Sequence, residues 1–381
     1  MTSADHKDHM DQMDHQKHTK LKRPAIGDYG RNEVALLGTP CGKIKQLAGK
    51  LVEALREHWS VAFVDADHKA AETQQASLLH FTDKISYRRF DYLSQPNNYQ
   101  VKKYFNECDA IIVNGNHFKA AHQILIIDPK KPLDRKLERI THPLMVILTE
   151  GVEQIPDYLQ HLTEGLPVFQ WNEQQGPVQF LSTWVESRRP TIKGLVLAGG
   201  RSQRMQQDKG SLNYHGRSQR AHLFDQMTER GIPTWVSCRA DQVKTIEDDL
   251  PLLQDSFVDL GPMGALLTAF RHDPDAAWLA VACDLPYLTA ETLDYLIANR
   301  DASKQATAFQ SPFDEFPEPL ITIWEPKSYL TLFEFLSQGY SCPRKALINS
   351  NIALLNAPRP KDLSNINHPH EYQEAIKDLQ Q

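Results

Sequence analysis

The sequence predicts an α/β protein built as two Rossmann-like, doubly wound domains. Three observations carry the prediction. The length of 381 residues suits two domains, each with its own core. Apolar runs of strand length alternate with amphipathic helical stretches, an order that yields parallel sheets with right-handed crossovers. Twice, a glycine-containing turn follows such a strand, at Gly38 and at Gly199-Gly200.

Composition narrows the class further. Hydrophobic residues make up 41% and charged residues 24%, ordinary for a globular chain. The net charge of −6 gives no support to a nucleic-acid partner. No apolar run approaches the roughly 18 residues of a membrane helix, and the polar start has no apolar segment of a secretory signal. A cytoplasmic protein without a membrane partner is expected. The five cysteines (Cys41, Cys108, Cys238, Cys283, Cys342) form no C-x-x-C pair, so neither a zinc site nor a disulfide framework is suggested.

In chain order, residues 1–23 read as a disordered tail with almost nothing to bury. His6, His9, His15 and His18 stand there among Asp8, Asp11 and Asp14, giving either a solvated tail or a weak metal chelator. A first α/β domain is expected over 30–186. Its strands are Glu33–Gly38, Ser60–Asp65, Ala110–Val113, Ile124–Ile127 and Leu144–Leu148. A helix from Ile44 to Glu57 carries Leu47, Leu51 and Leu55 on one face. Ser187-Arg-Arg-Pro-Thr191 reads as a linker, and a second domain is expected over 191–381. Its strands are Lys193–Ala198, Thr234–Ser237 and Trp278–Cys283. Its helices are Gln219–Arg230, Gly264–Arg271 and Ala290–Arg300. Phe309–Trp324 is expected to form a loop over a cleft and then a strand, Leu320–Trp324. Ser341-Cys-Pro-Arg-Lys345 reads as a basic loop, either solvated or facing an anion.

The candidate chemistry lies in the second domain. Strand residues Leu195–Ala198 run into Gly199 and Gly200, then a loop with Arg201 and Arg204, then Asp208-Lys209. Glycines let backbone N–H groups close on phosphates, and the cations neutralise charge. The spacing is not that of Walker A, whose lysine directly follows the second glycine. Ligands of open α/β sheets sit beyond the carboxyl ends of strands. Asp255 and Asp284 stand at two such ends, the latter followed by Leu285-Pro286, which turns the chain. A carboxylate there suits Mg²⁺, a hard cation that takes oxygen ligands; taken alone, an aspartate in that place is better explained by a helix cap or a turn, and the glycine loop and Lys209 in the same chain reverse that balance.

Leu197-Ala-Gly-Gly-Arg-Ser-Gln-Arg-Met205 with Asp208-Lys209 resembles the LAGGxSxRMGxDK signature of nucleotidyltransferases, most closely the molybdenum cofactor guanylyltransferase family. Gly261-Pro-Met-Gly264 is similar to the family's GPxxG turn and Cys283-Asp-Leu-Pro286 to its CDxP. Asn365-Ile-Asn367-His-Pro-His-Glu371 is similar to its NVNTPEE segment. The resemblance implies a nucleotidyltransferase-type fold for 191–381 and transfer of GMP from Mg-GTP to the terminal phosphate of molybdopterin, releasing pyrophosphate. It implies nucleotide binding by Leu197, Ala198, Gly199, Gly200, Lys209 and Asp255, and catalysis by Arg204, Lys209 and Asp284. Asp284 would be the ligand of Mg²⁺, the implied cofactor, and Asn365 and Asn367 would face the pterin. GTP and the molybdenum cofactor are the implied ligands, with molybdoenzymes or other cofactor-synthesis proteins as partners. Gly200 points to guanine, since the cytidylyl relatives have LAAG.

Three positions depart from the pattern: Gln206 and Ala265 replace common glycines, and Ser237-Cys-Arg239 stands where the family often has asparagine. Arg239 could serve phosphate instead. These departures keep two other readings open, a sugar-1-phosphate or cytidylyl-type transferase and a non-catalytic nucleotide-binding carrier.

In the first domain, Gly38-Thr-Pro-Cys-Gly-Lys43-Ile44 has the context of a P-loop but is one residue short and lacks its Ser/Thr. With Asp65-Ala-Asp67-His68 and Asn114-Gly-Asn-His117-Phe118, it resembles a degenerate relative of the P-loop GTP-binding adapter that accompanies the guanylyltransferase. Nucleotide binding without hydrolysis and a structural role are both open there.

Overall fold

A computed structural model describes residues 20–67, 79–92, 96–173, 175–200, 205, 207–246 and 249–380. The histidines of the tail, His68, Arg204 and Gln206 lie outside the described residues.

The first layer is built from β1 (Glu33–Leu37), α1 (Cys41–Leu55), β2 (Val61–Val64), β3 (Leu79–Asp83), β4 (Arg88–Tyr92), α2 (Asn98–Tyr104), β5 (Ala110–Asn114), β6 (His122–Ile127), β7 (Pro143–Leu148), α3 (Asp157–Thr163), β8 (Val168–Gln170) and α4 (Gln175–Ser187). Six strands form a sheet in the order β2-β5-β1-β6-β7-β8, and each neighbouring pair is parallel. α1 packs Ile44, Ala48, Leu51 and Leu55 onto Leu36, Ile112 and Ile124 of the sheet. The i, i+4 spacing read in the sequence is therefore the buried stripe of this helix. The hairpin β3–β4 is antiparallel and has no counterpart in the sequence reading.

The second layer contains β9 (Ile192–Leu197), α5 (Gln219–Thr228), β10 (Thr234–Cys238), β11 (Leu252–Gln254), α6 (Pro262–His272), β12 (Ala277–Ala282), α7 (Ala290–Ala298), β13 (Ala306–Gln310), β14 (Pro317–Trp324), α8 (Ser328–Ser337), α9 (Pro343–Ile348), β15 (Ala353–Leu355) and α10 (Pro369–Leu379). The sheet order is β11-β10-β9-β12-β14-β13-β15, with only β14 antiparallel to its neighbours. Side chains alternate across it. Val196, Leu279 and Val281 pack against Leu223, Met227, Leu293 and Leu296 of α5 and α7. Leu195, Trp278 and Ala280 face Met263, Leu266 and Phe270 of α6 on the other side. Helices therefore cover both faces, and the chain changes winding direction between β9 and β12, which opens a crevice at their carboxyl ends.

Three expectations change. Phe309–Trp324 is a hairpin half, with β14 beginning at Pro317 rather than Leu320. Pro317 and Pro319 are tolerated because pairing of β14 with β12 begins only at Ile321. The basic segment at 341–345 is not a free loop: Pro343 opens α9, and Arg344 pairs with Asp314 at 2.7 Å and with Glu318 at 3.1 Å. The end of the tail is also engaged, since Lys22 meets Asp273 at 2.5 Å and the Ala25 N–H donates to Asp275.

α4 ends at Ser187 and β9 begins at Ile192, so the linker is four residues long. The two layers are joined by buried polar contacts. Lys327 donates to Asp109 at 2.6 Å, to the Glu107 carbonyl and to the Ser303 carbonyl, and Asn106 donates back to the Lys327 carbonyl. Arg31 pairs with Asp275 and donates to the Pro274 carbonyl.

Candidate active site

A cavity of about 790 Å³ opens at the carboxyl ends of β9 and β12. Leu197, Ala198, Gly199, Gly200, Lys209, Asp255, Asp284 and Asn367 all line it. Asn365, on the same segment, is not among the lining residues; its Oδ1 is buried and has no hydrogen-bond partner among the described residues.

The floor is the glycine turn after β9. A Cβ on Gly199 would stand 3.0 Å from Asp255 Oδ2, so the absence of a side chain lets the carboxylate approach the backbone. At Gly200 there is open space where a Cβ would go. Arg239 Nη1 donates to the carbonyls of Gly199 and Gly200 at 2.7 and 3.0 Å, while Nε and Nη2 hold Asp241. The Ala198 carbonyl accepts from Gln242. Arg239, read in the sequence as a spare phosphate ligand, thus braces the turn from beneath.

Asp255 follows β11. Ser237, on the neighbouring strand, donates to its Oδ1 at 2.7 Å. Burial pushes the Asp255 carboxyl up to about 6, although Ser237 and Arg239 pull the other way. Near pH 7 it is therefore mostly ionised and acts as an acceptor of hydrogen bonds.

The opposite wall carries the charge. Asp208 caps a short 3₁₀ turn, accepting the Gly210 N–H at 2.9 Å through one oxygen and Arg220 at 3.0 Å through the other. Arg220 is buried near the start of α5, so the turn rests on a fixed guanidinium. Lys209 projects from it to Asn367 Oδ1 at 2.8 Å and to Asp284 Oδ2 at 3.4 Å. Three chain segments distant in sequence therefore converge on one ammonium group. Asn367 is held in turn because Glu371 caps α10, accepting the Asn367 and His368 N–H groups.

Asp284 follows β12, and its carbonyl accepts the Ile366 N–H, which ties the Asn365–Asn367 segment to the strand end. Burial raises the Asp284 carboxyl above its ordinary range, with Lys209 opposing. Its Oδ1 is buried without a hydrogen-bond partner among the described residues. A desolvated oxygen lacking a donor is what a hard cation would satisfy. Among the described residues no group of three or more His, Cys, Asp or Glu could hold a metal. The donor set therefore fits a cation that takes one carboxylate and fills its remaining positions with water and substrate phosphates, the habit of Mg²⁺.

One further feature is illegible in sequence. Glu318 on β14 is buried, and its carboxyl is raised by burial, with Arg344 opposing and the charge of Asp284 adding to the rise. The N-terminus of α6 also reaches the cavity: Gly261 sits at φ +55°, and Gly261, Pro262 and Ala265 line the wall. Ala265 fits where the resemblance expects glycine. It is Gly264 that cannot carry a side chain, because its Cβ would lie 2.2 Å from the Phe257 carbonyl.

Comparison with known proteins finds matches for this part of the chain. Residues 194–350 match the MobA-like NTP transferase domain. A molybdenum cofactor biosynthesis bifunctional protein of Synechocystis is 33% identical over 182 residues, covering 48% of this chain and 52% of that protein. The chain thus matches about half the length of that relative. A molybdenum cofactor guanylyltransferase of Shewanella is 25% identical over 49% of this chain and 96% of its own. The solved structure of molybdopterin-guanine dinucleotide biosynthesis protein A from Archaeoglobus fulgidus shares 20% identity, with a TM-score of 0.43, over 49% of this chain and 98% of that one. The family match falls wholly within the second layer, from β9 to just past the end of α9. No described helix is long and apolar enough to cross a membrane.

Proposed function

We propose that the chain transfers GMP from Mg-GTP to the terminal phosphate of molybdopterin, releasing pyrophosphate. The observation that carries this reading is the convergence of Lys209, Asp284 and Asn367 at one end of the cavity, with Asp255 and the glycine turn at the other. That arrangement separates a cationic, metal-competent end from a hydrogen-bond-accepting end, as a nucleotide requires.

In this reading, Gly199 and Gly200 let the backbone approach the triphosphate, and Lys209 offsets the charge that develops as the α–β phosphate bond breaks. Arg204 belongs to the same loop and would add a second cation. Asp255 accepts hydrogen bonds from the guanosine; the guanine edge offers two adjacent N–H donors, which suit a carboxylate. Asn365 and Asn367 hold the pterin side. The acceptor is already a phosphate anion, so the reaction needs no general base, only in-line placement and charge neutralisation. Asp284 would hold Mg²⁺, which supplies electrostatic stabilisation of phosphate oxygens when bound.

The test is pyrophosphate release from a panel of Mg-NTPs, with and without molybdopterin, for the wild type and Asp284→Ala. Release that needs GTP, molybdopterin and Asp284 together supports the reading. Release with CTP or a sugar phosphate would move the activity to another acceptor class. GTP binding without release would make the chain a carrier.

A further inference from the structure

The turn after β1 is the place where a P-loop would hold phosphate, yet its lysine is already occupied. Lys43 Nζ lies 3.0 Å from Asp128 Oδ2, and the Thr39 hydroxyl donates to the same oxygen at 2.7 Å. The Asp128 side chain is only 3% exposed, so this cation is neutralised within the fold. A phosphate at this turn would face a fixed carboxylate.

A different chemistry is assembled beside it. Cys41 is the first residue of α1, and its Sγ lies 3.2 Å from His117 Nε2, in the loop after β5. The Asn116 amide nitrogen lies 3.4 Å from the same sulfur and donates to the Thr39 carbonyl at 2.9 Å. Asn116 Oδ1 accepts from Lys136 at 2.9 Å, so the amide is clamped with its donor side toward the sulfur. Arg139 donates to the Gly115 carbonyl in the same loop. Cys41 and His117 are both partly exposed. The sulfur therefore has a base within hydrogen-bond reach, an N–H donor, two nearby cations and the positive end of a fifteen-residue helix.

We infer that Cys41 is a nucleophilic thiol with His117 as its general base, and that the pair is a site of thiol–disulfide exchange with small disulfides. His117 Nε2 takes the thiol proton as Sγ attacks one sulfur of R–S–S–R. The Sγ–S bond forms, the S–S bond breaks, and the leaving RS⁻ accepts the proton from His117. Cys41 is oxidised to the mixed disulfide, and the departing half of the reagent is reduced to a thiol. Nothing in this step depends on the nucleotidyl-transfer reading of the other domain.

The test uses the full reduced chain and neutral bis(2-hydroxyethyl) disulfide, with acid quenching and peptide mapping by mass spectrometry. Cys342, an exposed cysteine, is the internal reference. Cys41 is expected to acquire the hydroxyethylthio group faster than Cys342, on the order of 10²-fold, the scale of a positioned base. His117→Gln should remove that excess while leaving Cys342 unchanged. Equal labelling of Cys41 and Cys342 in the wild type overturns the inference and needs no variant. So does a His117→Gln protein that keeps both its circular dichroism and the excess rate.

Discussion

Asp284→Asn separates two consequences of the same carboxylate. The side chain is desolvated, its Oδ1 has no partner, and Lys209 stands 3.4 Å from its Oδ2. Burial, opposed by Lys209, raises its folded-state pKa above the unfolded value of 3.8. The ionised form is therefore less favoured in the folded state. Relative stability from this group is greatest below the unfolded pKa and declines as pH rises through the folded one. Asparagine keeps the shape and removes the charge, so the melting temperature at neutral pH should hold or rise, and any gain should shrink as the pH is lowered toward 3.8. Turnover should move the other way. Loss of one well-placed electrostatic group costs about 2.7–4 kcal/mol of transition-state stabilisation, roughly 10² to 10³ in kcat. Pyrophosphate release from Mg-GTP with molybdopterin, paired with calorimetric melting, measures both. A variant within about tenfold of wild-type turnover would refute the catalytic assignment. A variant that melts well below the wild type at neutral pH would refute the desolvation argument.

Other perturbations follow from the same geometry. Lys209→Ala should lower turnover by roughly 10² to 10³ and, unlike Asp284→Asn, should also lower the melting temperature, because a buried carboxylate loses its counter-charge. Calorimetric GTP binding should weaken as pH falls through about 6, where the Asp255 carboxyl protonates and stops accepting, and Asp255→Asn should flatten that dependence. Gly264→Ala should cost roughly 1–3 kcal/mol in chemical denaturation, since its Cβ must displace the Phe257 carbonyl. Lys327→Met should cost roughly 3–5 kcal/mol by urea unfolding, because Asp109, only 9% exposed, is left charged and unpaired between the two layers.

The fold was legible wherever burial imposes a period. Leu51 and Leu55 on α1, and the alternating Leu195, Val196 and Leu197 of β9, are core residues whose spacing repeats the geometry of their element. The glycine turn and the aspartates after β11 and β12 were legible because strand ends concentrate ligand chemistry. What sequence could not supply is contact between distant segments. Arg220 looks like any helical arginine until Asp208 is found beneath it. Ser237 looks like a departure from pattern until its hydroxyl is found on Asp255. Arg239 lines the cavity with its guanidinium on Asp241 and on the Gly199 and Gly200 carbonyls, and it is the contact to that distant turn that its own neighbourhood does not announce. β14 was cut short because proline normally ends a strand, whereas here the ladder to β12 begins beyond the prolines.

The two glycine turns differ in how their neighbouring polar groups are satisfied. Each follows the first strand of its sheet, and each has a lysine nearby that meets an aspartate after a neighbouring parallel strand. In the first domain that aspartate, Asp128, is 3% exposed. Thr39 and the Lys130 N–H also bind it, and together with Lys43 they hold its carboxyl below the ordinary value against the effect of burial. Drawing Lys43 away to a ligand's phosphate there would break a satisfied network. In the second domain the corresponding carboxylate, Asp284, has one oxygen without a donor, and its pKa is raised rather than lowered. Lys209 sits at the longer distance of 3.4 Å and is 20% exposed toward the cavity. An incoming triphosphate with its cation would give Asp284 the partner it lacks and Lys209 a stronger one. The same topology thus holds a mutually satisfied polar set in one domain and, in the other, a buried carboxylate oxygen with no partner among the described residues. Introducing Asp128→Asn should therefore free Lys43 without creating a phosphate site, because the turn remains one residue short of a P-loop; a gain of GTP affinity in the first domain on that substitution would show that the buried carboxylate alone had closed it.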